Sequence, residues 1–319
     1  LWLPPSLPYI HSEVMADRSA LTKSLVFSTW SVVPDVIAAV CSYTAERERV
    51  RVAGLTDYFD LYDSRKPLLV FRRSEGRMES MSTLLMLYPS PALSNLVDPM
   101  RLAIERSAPL STDELKAFAT EKAMRLAGRM PGTRKSSDGR QDQSWYWAGI
   151  ARHDFRHSSG VGDWLRYQAE WRSLMERDRA HPEHSIFSDH VEHFLQGALG
   201  NLDMGPAPDD LVDVLAELAI GSPAICANRS LRRIAPGLKA NSPEILQASA
   251  HIAEGFRSLF NSPDVRSMID RDGMPYWRQV LRYCVEGDLQ AVLDEYVHSL
   301  KESLGLVDAE NAKIVREVA

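Results

Sequence analysis

Ser28 and Thr29 follow a short apolar run, "SLVFS" at 24–28, and precede Pro34, which suits the first turn of a helix. Two hydroxyls at the carboxyl end of a buried strand, facing a helix start, can hold an anion together with the backbone amides that converge there. A nucleic-acid phosphate fits that position, and such a contact places a strand without reading its sequence. The same residue types also serve as a helix cap or a satisfied strand end, with Trp30 packed in the core. Arg229, Arg232 and Arg233 in "NRSLRRI" form a second cationic group. Guanidinium groups are suited to bidentate phosphate contact, and the alternative is a solvated face with local acidic partners. Arg129, Arg134, Lys135 and Arg140, in and beside the polar loop 131–144, pose the same choice.

"HPEHSIFSDHVEHF" carries His181, His184, His190 and His193 with Asp189 and Glu192, and His153, Asp154 and His157 lie upstream. A zinc site would draw on these side chains, but the spacing matches no established zinc motif and no cysteine is near, so a solvated helix face is preferred. Trp145 and Trp147 lie two apart, and Trp164 and Trp171 seven apart. Interleaved with arginine they have the composition of a base-stacking surface, yet at helical spacing core packing is the preferred reading. No Ser-His-Asp arrangement, nucleophile elbow or dinucleotide fingerprint stands out.

These residues need elements to hold them. The run 24–28 reads as a buried parallel strand. Val36, Ile37, Val40 and Cys41 then share one face of a helix, so strand, corner and helix make half of a βαβ unit. "PLLVFRR" (67–73) and "STLLMLYP" (82–89) read as further strands, in a hairpin across "SEGRMESM" or in the same sheet. After Pro91 the period changes to helical. Ser111 with Glu114 three residues on is a capping box, and helical patterns follow at about 162–179, 186–198, 208–220, 243–260, 275–301 and 308–319. No fixed-period repeat supports a solenoid.

The 319 residues are 45% hydrophobic and 25% charged, with a net charge of −6, so any nucleic-acid contact must come from local patches rather than a global basic field. Cys41, Cys226 and Cys284 are far apart, which suits a reducing cytosol better than a disulfide framework and makes a cytoplasmic location the expectation. No apolar run approaches a membrane span, and no membrane partner is expected. "LWLPPSLPYI" has neither the basic start nor the cleavage site of a signal peptide. A first residue that is Leu, and a last helical pattern that stops mid-period, lead us to expect a piece of a longer protein.

"KSLVFSTW" resembles motif IV of the second RecA-like lobe of superfamily 2 helicases. The longer run "KSLVFSTWSVVPDVIAAVCSYTAERERV", with "LWLPPSLPYI" before it and "GSPAICANRSLRRI" (221–234) after, resembles a narrower bacterial group of large Swi/Snf-like helicases, some associated with anti-phage defence. In that group a helical insertion separates motif IV from the later motifs. The resemblance implies an α/β segment, a partial RecA-like lobe, followed by a mostly α-helical insertion domain, with helix dominating overall. Its boundaries would be an extended linker at 1–20, the partial lobe at 21–110 and the insertion at 111–319. It further implies part of an ATP-dependent helicase or translocase, with nucleic acid (DNA the expected track), the remaining lobes of the same polypeptide and defence-system proteins as partners. ATP and Mg are then cofactors of the full-length enzyme. The phosphate-binding loop, the acidic metal box and the arginine-finger motif do not occur here, so no cofactor is expected on this chain alone, no residue is assigned a catalytic role, and no metal ligand is assigned. The nucleic-acid contacts expected are Ser28, Thr29, Arg229, Arg232 and Arg233. The rival reading is a non-enzymatic helical module that binds a protein partner.

Overall fold

The computed structural model describes residues 2, 4–11, 28–30, 32–52, 66–74, 77–130, 141–166, 183–270 and 273–319. Among them the protein is mostly helical, and its only sheets are two-stranded. The order is β1 (Ile10–His11), α1 (Val32–Val52), β2 (Arg72–Ser74), β3 (Arg77–Glu79), α2 (Met81–Leu87), α3 (Pro91–Ser94), α4 (Pro99–Arg106), β4 (Leu110–Ser111) and α5 (Thr112–Ala127). A 3-10 turn at Gln143–Tyr146 leads into α6 (Ala148–His157), α7 (Ser159–Arg166), α8 (Glu183–Leu199), α9 (Leu211–Gly221), α10 (Pro223–Ile234) and α11 (Pro243–Asn261). The chain closes with α12 (Pro263–Ile269), α13 (Tyr276–Glu286), α14 (Leu289–Ser303) and α15 (Asn311–Val318).

No RecA-like sheet is evident among these residues, which corrects the α/β expectation for the segment before residue 110. The strand expected at 24–28 lies outside the described residues, apart from Ser28. "STLLMLYP" is not a strand but α2, whose Met81, Thr83, Leu84, Leu85, Met86 and Leu87 are all buried. An apolar run buried on every side carries no period, and its Leu and Met are strong helix formers rather than β-branched residues. The hairpin does form, but from shorter pieces: β2 pairs antiparallel with β3 through Arg72↔Glu79, Arg73↔Met78 and Ser74↔Arg77. The other sheet is a parallel pair, Ile10↔Leu110 and His11↔Ser111, outside the region where strands are expected. One apolar cluster runs from Ile10, Phe71 and Leu84 through Leu115 and Trp164 to Leu215 and Leu281, so packing continues across residue 110.

At the centre lie α9 and α10, bent by 43° at Gly221–Pro223. Gly221 sits so close to α13 that a β-carbon there would come within 2.6 Å of Val285 and 3.0 Å of the Leu281 carbonyl. α9 packs on α5 and α13, while α10 lies against α11 and α14. No single described helix is long and apolar enough to cross a membrane; the bent α9–α10 pair passes by length and composition only, and its apolar side chains are buried in this core. The capping box forms as the sequence predicts: Ser111 Oγ accepts from the Glu114 amide at 3.2 Å, and Glu114 Oε2 accepts from the Ser111 amide at 3.0 Å.

Arg229, on α10, is 3% exposed and joins four parts of the chain. Its Nε donates to Gln290 Oε1 of α14 at 2.5 Å. Nη1 donates to the carbonyls of Val97 (3.0 Å) and Ala219 (2.6 Å), and Nη2 to the Ile220 carbonyl (3.2 Å) and Cys226 Sγ (3.5 Å). A guanidinium has five N–H donors, and all five are matched. The Ala219 and Ile220 carbonyls belong to the last turn of α9, where partial negative charge favours a cation.

Of the segment 1–20, the described residues 2 and 4–11 are strapped onto the far end of the chain, with a strand only at Ile10–His11. Trp2 stacks edge-on against Tyr283 (5.1 Å between ring centres) and Phe256 (6.1 Å), and its Nε1 donates to the Gly287 carbonyl at 2.7 Å. Gly287 is needed there, because a β-carbon would come within 2.7 Å of the Trp2 ring. The helix expected at 275–301 breaks at this point. Asp288 adopts a left-handed conformation (φ 49°) and accepts from the amides of Tyr9 (2.6 Å), Ile10 (3.0 Å) and Ala291 (3.4 Å).

Arg229→Met leaves three backbone carbonyls and Gln290 without their donor in the interior. We expect a stability loss of ~3–5 kcal/mol, the range for breaking a buried charged network. Urea unfolding checks this, and a loss under ~1 kcal/mol would reject the strut role.

Candidate nucleic-acid corner and anion cleft

Ser28, Thr29 and Trp30 are exposed, and α1 follows them directly. The Ser28 hydroxyl oxygen accepts from the Trp30 amide at 3.0 Å, a local turn that still leaves its proton free to donate. The Trp30 carbonyl accepts from the Val33 amide at 3.2 Å. Trp30 is 70% exposed, so it is not the core residue of the alternative reading. Val32, Val36, Val40 and Tyr43 on α1 are exposed as well. The helix forms where the sequence places it, but among the described residues nothing covers its apolar side.

The three arginines of α10 are divided among different tasks. Arg229 is consumed by the interior, and no phosphate reaches it in this fold. Arg233 bridges Asp98 (2.5 Å) and Asp294 (2.6 Å), and Asp294 also accepts from Ser230 (2.6 Å) and Gln290 (3.0 Å). Arg232 alone of the three reaches a cleft, with Nη1 donating to Asn95 Oδ1 at 2.9 Å. Burial, and then the charges of Arg233 and Arg229, pull the Arg232 guanidinium below its ordinary pKa, against the opposing pull of Asp98. Arg129 is exposed on the surface, while Arg134, Lys135 and Arg140 lie outside the described residues.

That cleft, of about 520 Å³, opens between α3, the end of α6, the end of α10 and the 238–241 segment. His153 and His157 stack in it with ring centres 4.2 Å apart, and His157 Nδ1 lies 2.8 Å from the His153 carbonyl. That carbonyl can only accept, so it fixes the proton on His157 Nδ1 and leaves Nε2 outward. Burial, then His157 and Arg129, hold the His153 pKa below its ordinary value.

Asp154 lies behind these rings, fully enclosed. It accepts from Tyr88 Oη (3.0 Å), Ser90 Oγ (2.5 Å) and the Ala92 amide (3.0 Å), and so ties α6 to the α2–α3 junction. Burial pushes its carboxyl up to about 6, outweighing the three hydrogen bonds, which act downward.

His190 and His193, on α8, are packed into the fold. His190 is wholly buried, with Nδ1 2.7 Å from the Ile186 carbonyl and Nε2 2.6 Å from the Glu79 carbonyl, mooring the β2–β3 hairpin to α8. His193 is half-buried against Trp147. This corrects the solvated-face reading for His190 and His193, which pack inward. His181 and the side chain of His184 fall outside the described residues, and among the described residues no group of three or more His, Cys, Asp or Glu side chains could hold a metal ion. Trp145, Trp147 and Trp164 are buried, as helical spacing predicts, and Trp171 is outside the described residues. The sequence reading missed the cleft because its walls come from four separated segments, although "RHDFRH" and "LRRI" each flagged one wall.

Comparison with protein-family models, curated proteins and solved structures finds no match to this chain.

The folded Asp154 carboxyl binds its proton more tightly than the unfolded one, near 3.8. Its contribution to stability is therefore full below the unfolded value and is lost as pH rises through about 6. The shift corresponds to on the order of 3 kcal/mol. Asp154→Asn should remove this part of the pH dependence. Thermal melts between about pH 4 and 7 should give a flatter curve for the variant than for the parent, and parallel curves would reject the assignment.

Proposed function

We propose that this chain is the helical accessory part of an ATP-driven nucleic-acid motor of the superfamily 2, Swi/Snf-like kind. ATP and Mg are held by other parts of the same polypeptide, and this part contributes grip on DNA. The observation that carries the reading is the Ser28–Thr29 corner: two exposed hydroxyls, in a run that resembles motif IV, leading directly into α1. An apolar helix face left uncovered among the described residues suits an element that packs on a sheet supplied by the rest of the lobe. The sequence reading of Arg232 as a phosphate contact stays within this proposal; Arg229 does not, because it is enclosed. The uncovered stripe of Trp30, Val32, Val36, Val40 and Tyr43 also supports the second reading, a module that binds a protein partner through α1.

The two readings separate experimentally. In the full-length protein, Ser28→Ala with Thr29→Ala should weaken DNA binding roughly ten-fold, the loss of one hydrogen bond to a charged group. Nucleotide binding should stay nearly unchanged, and the salt slope of DNA binding should barely move because no charge is removed. Equal DNA affinity of the folded double variant and the parent, measured by fluorescence anisotropy, rejects the phosphate role and favours the module. The 319-residue chain assayed by itself should hydrolyse no ATP, with or without DNA. Turnover above a contaminant control would overturn the motor reading.

A further inference from the structure

The cleft beside Arg232 is walled by hydrogen-bond donors. Arg232 spends one Nη1 proton on Asn95 and has its other N–H groups uncommitted among the described residues. Lys239 is exposed, and its ammonium has no partner among the described residues. The Asn241 carboxamide makes no hydrogen bond among the described residues, and Asn95 uses only its oxygen there, which leaves its amide protons free. His153 Nδ1 is enclosed and unpartnered, and it donates in the tautomer that carries the proton there. Among the lining residues the only carboxyl is Asp154, engaged by three donors, and Asp98, which also acts on Arg232, is bridged to Arg233. Four separate segments thus bring polar groups to one space, and among the described residues no carboxyl other than Asp154 lines it. Unmet donors and crowded like charges of this kind are relieved by an anion.

Two features narrow the anion. Arg232 and Lys239 supply two full positive charges, which match a phosphomonoester at about −1.5 to −2 better than the single charge of a phosphodiester. The volume, about 520 Å³, falls within the range of small-molecule sites and exceeds what inorganic phosphate fills. We propose that this cleft binds the phosphomonoester of a nucleotide-sized group, with Arg232 and Lys239 on the phosphate and Asn95 and Asn241 completing its hydrogen bonds. The source is either a free mononucleotide or the 5′-phosphorylated end of a nucleic acid. The inference does not depend on the motor reading, whose DNA contact is at the Ser28–Thr29 corner.

Isothermal titration of the 319-residue chain tests it with four probes: inorganic phosphate, dTMP, and a short oligothymidylate with a 5′-phosphate or a 5′-hydroxyl. We expect saturable binding of dTMP or of the 5′-phosphorylated oligomer, in competition with inorganic phosphate. Removing Arg232 and Lys239 together, as R232Q with K239Q, should weaken it at least about ten-fold. Lys239→Gln alone alters only an exposed side chain, so it should weaken binding without changing the melting temperature. Arg101→Gln, on exposed α4, should leave binding unchanged. Binding of dTMP but not the oligomer assigns the free nucleotide; the reverse assigns the nucleic-acid end; binding of both assigns the shared phosphomonoester. Four outcomes overturn the proposal: no saturable binding of any phosphorylated probe, binding of inorganic phosphate alone, equal binding of the 5′-hydroxyl oligomer, or affinity unchanged in the double variant. Ser28→Ala with Thr29→Ala should keep the cleft intact, so failure at the corner and failure at the cleft are read separately.

Discussion

The buried guanidinium of Arg229 is the constraint around which the helices are arranged. Taking a cation out of water costs several kcal/mol unless every donor is met. Meeting five donors in fixed directions requires the last turn of α9, the Val97 carbonyl, Cys226 and Gln290 to be where they are. Gln290 in turn donates to Ser230 and Asp294, and Asp294 takes Arg233. One charged side chain thereby sets the bend between α9 and α10, the seat of α14 and the path of the segment before α4. It also decides which arginine of α10 is left to meet a ligand.

Much of the helical architecture is legible in the sequence because it rests on local signals. The Ser111–Glu114 box marks the start of α5, and the apolar period places α8, α9 and α11 to within a few residues. The tryptophans of 145–164 read correctly as core for the same reason. Local signals fail where tertiary burial removes the period. α2 is apolar on every side, so nothing in "STLLMLYP" separates helix from strand except its Leu and Met content. The helical pattern read across 275–301 breaks at Gly287 and Asp288 for a remote reason: Asp288 is turned to receive the amides of Tyr9 and Ile10.

The site was legible only in part. Arg229, Arg232 and Arg233 lie at i, i+3 and i+4, so the sequence puts them on one helix face. Whether that face meets solvent is decided by the partners of α10, which spacing does not encode. The face enters the core at Arg229 and emerges at Arg232, so one motif yields a strut, a salt-bridged residue and a ligand-facing residue. The two cleft histidines were grouped with Asp154 in the sequence, yet the carboxyl between them faces the opposite way and works as a structural anchor. Such a division follows from helix geometry, which turns adjacent residues about 100° apart.

The strap formed by residues 2 and 4–11 sets an order of events during synthesis. Trp2 finds its hydrogen-bond acceptor at Gly287, 285 residues later, and Tyr9 waits for Asp288, 279 residues away. At about 5–20 residues per second, the first segment emerges roughly 15 to 60 s before its seat exists. During that interval Ile10 can already pair with Leu110, while Trp2 waits for α13 and the Gly287 carbonyl. Closing the strap requires residues 287 and 288, and a chain halted before them leaves the Trp2 ring and the Tyr9 amide without their acceptors.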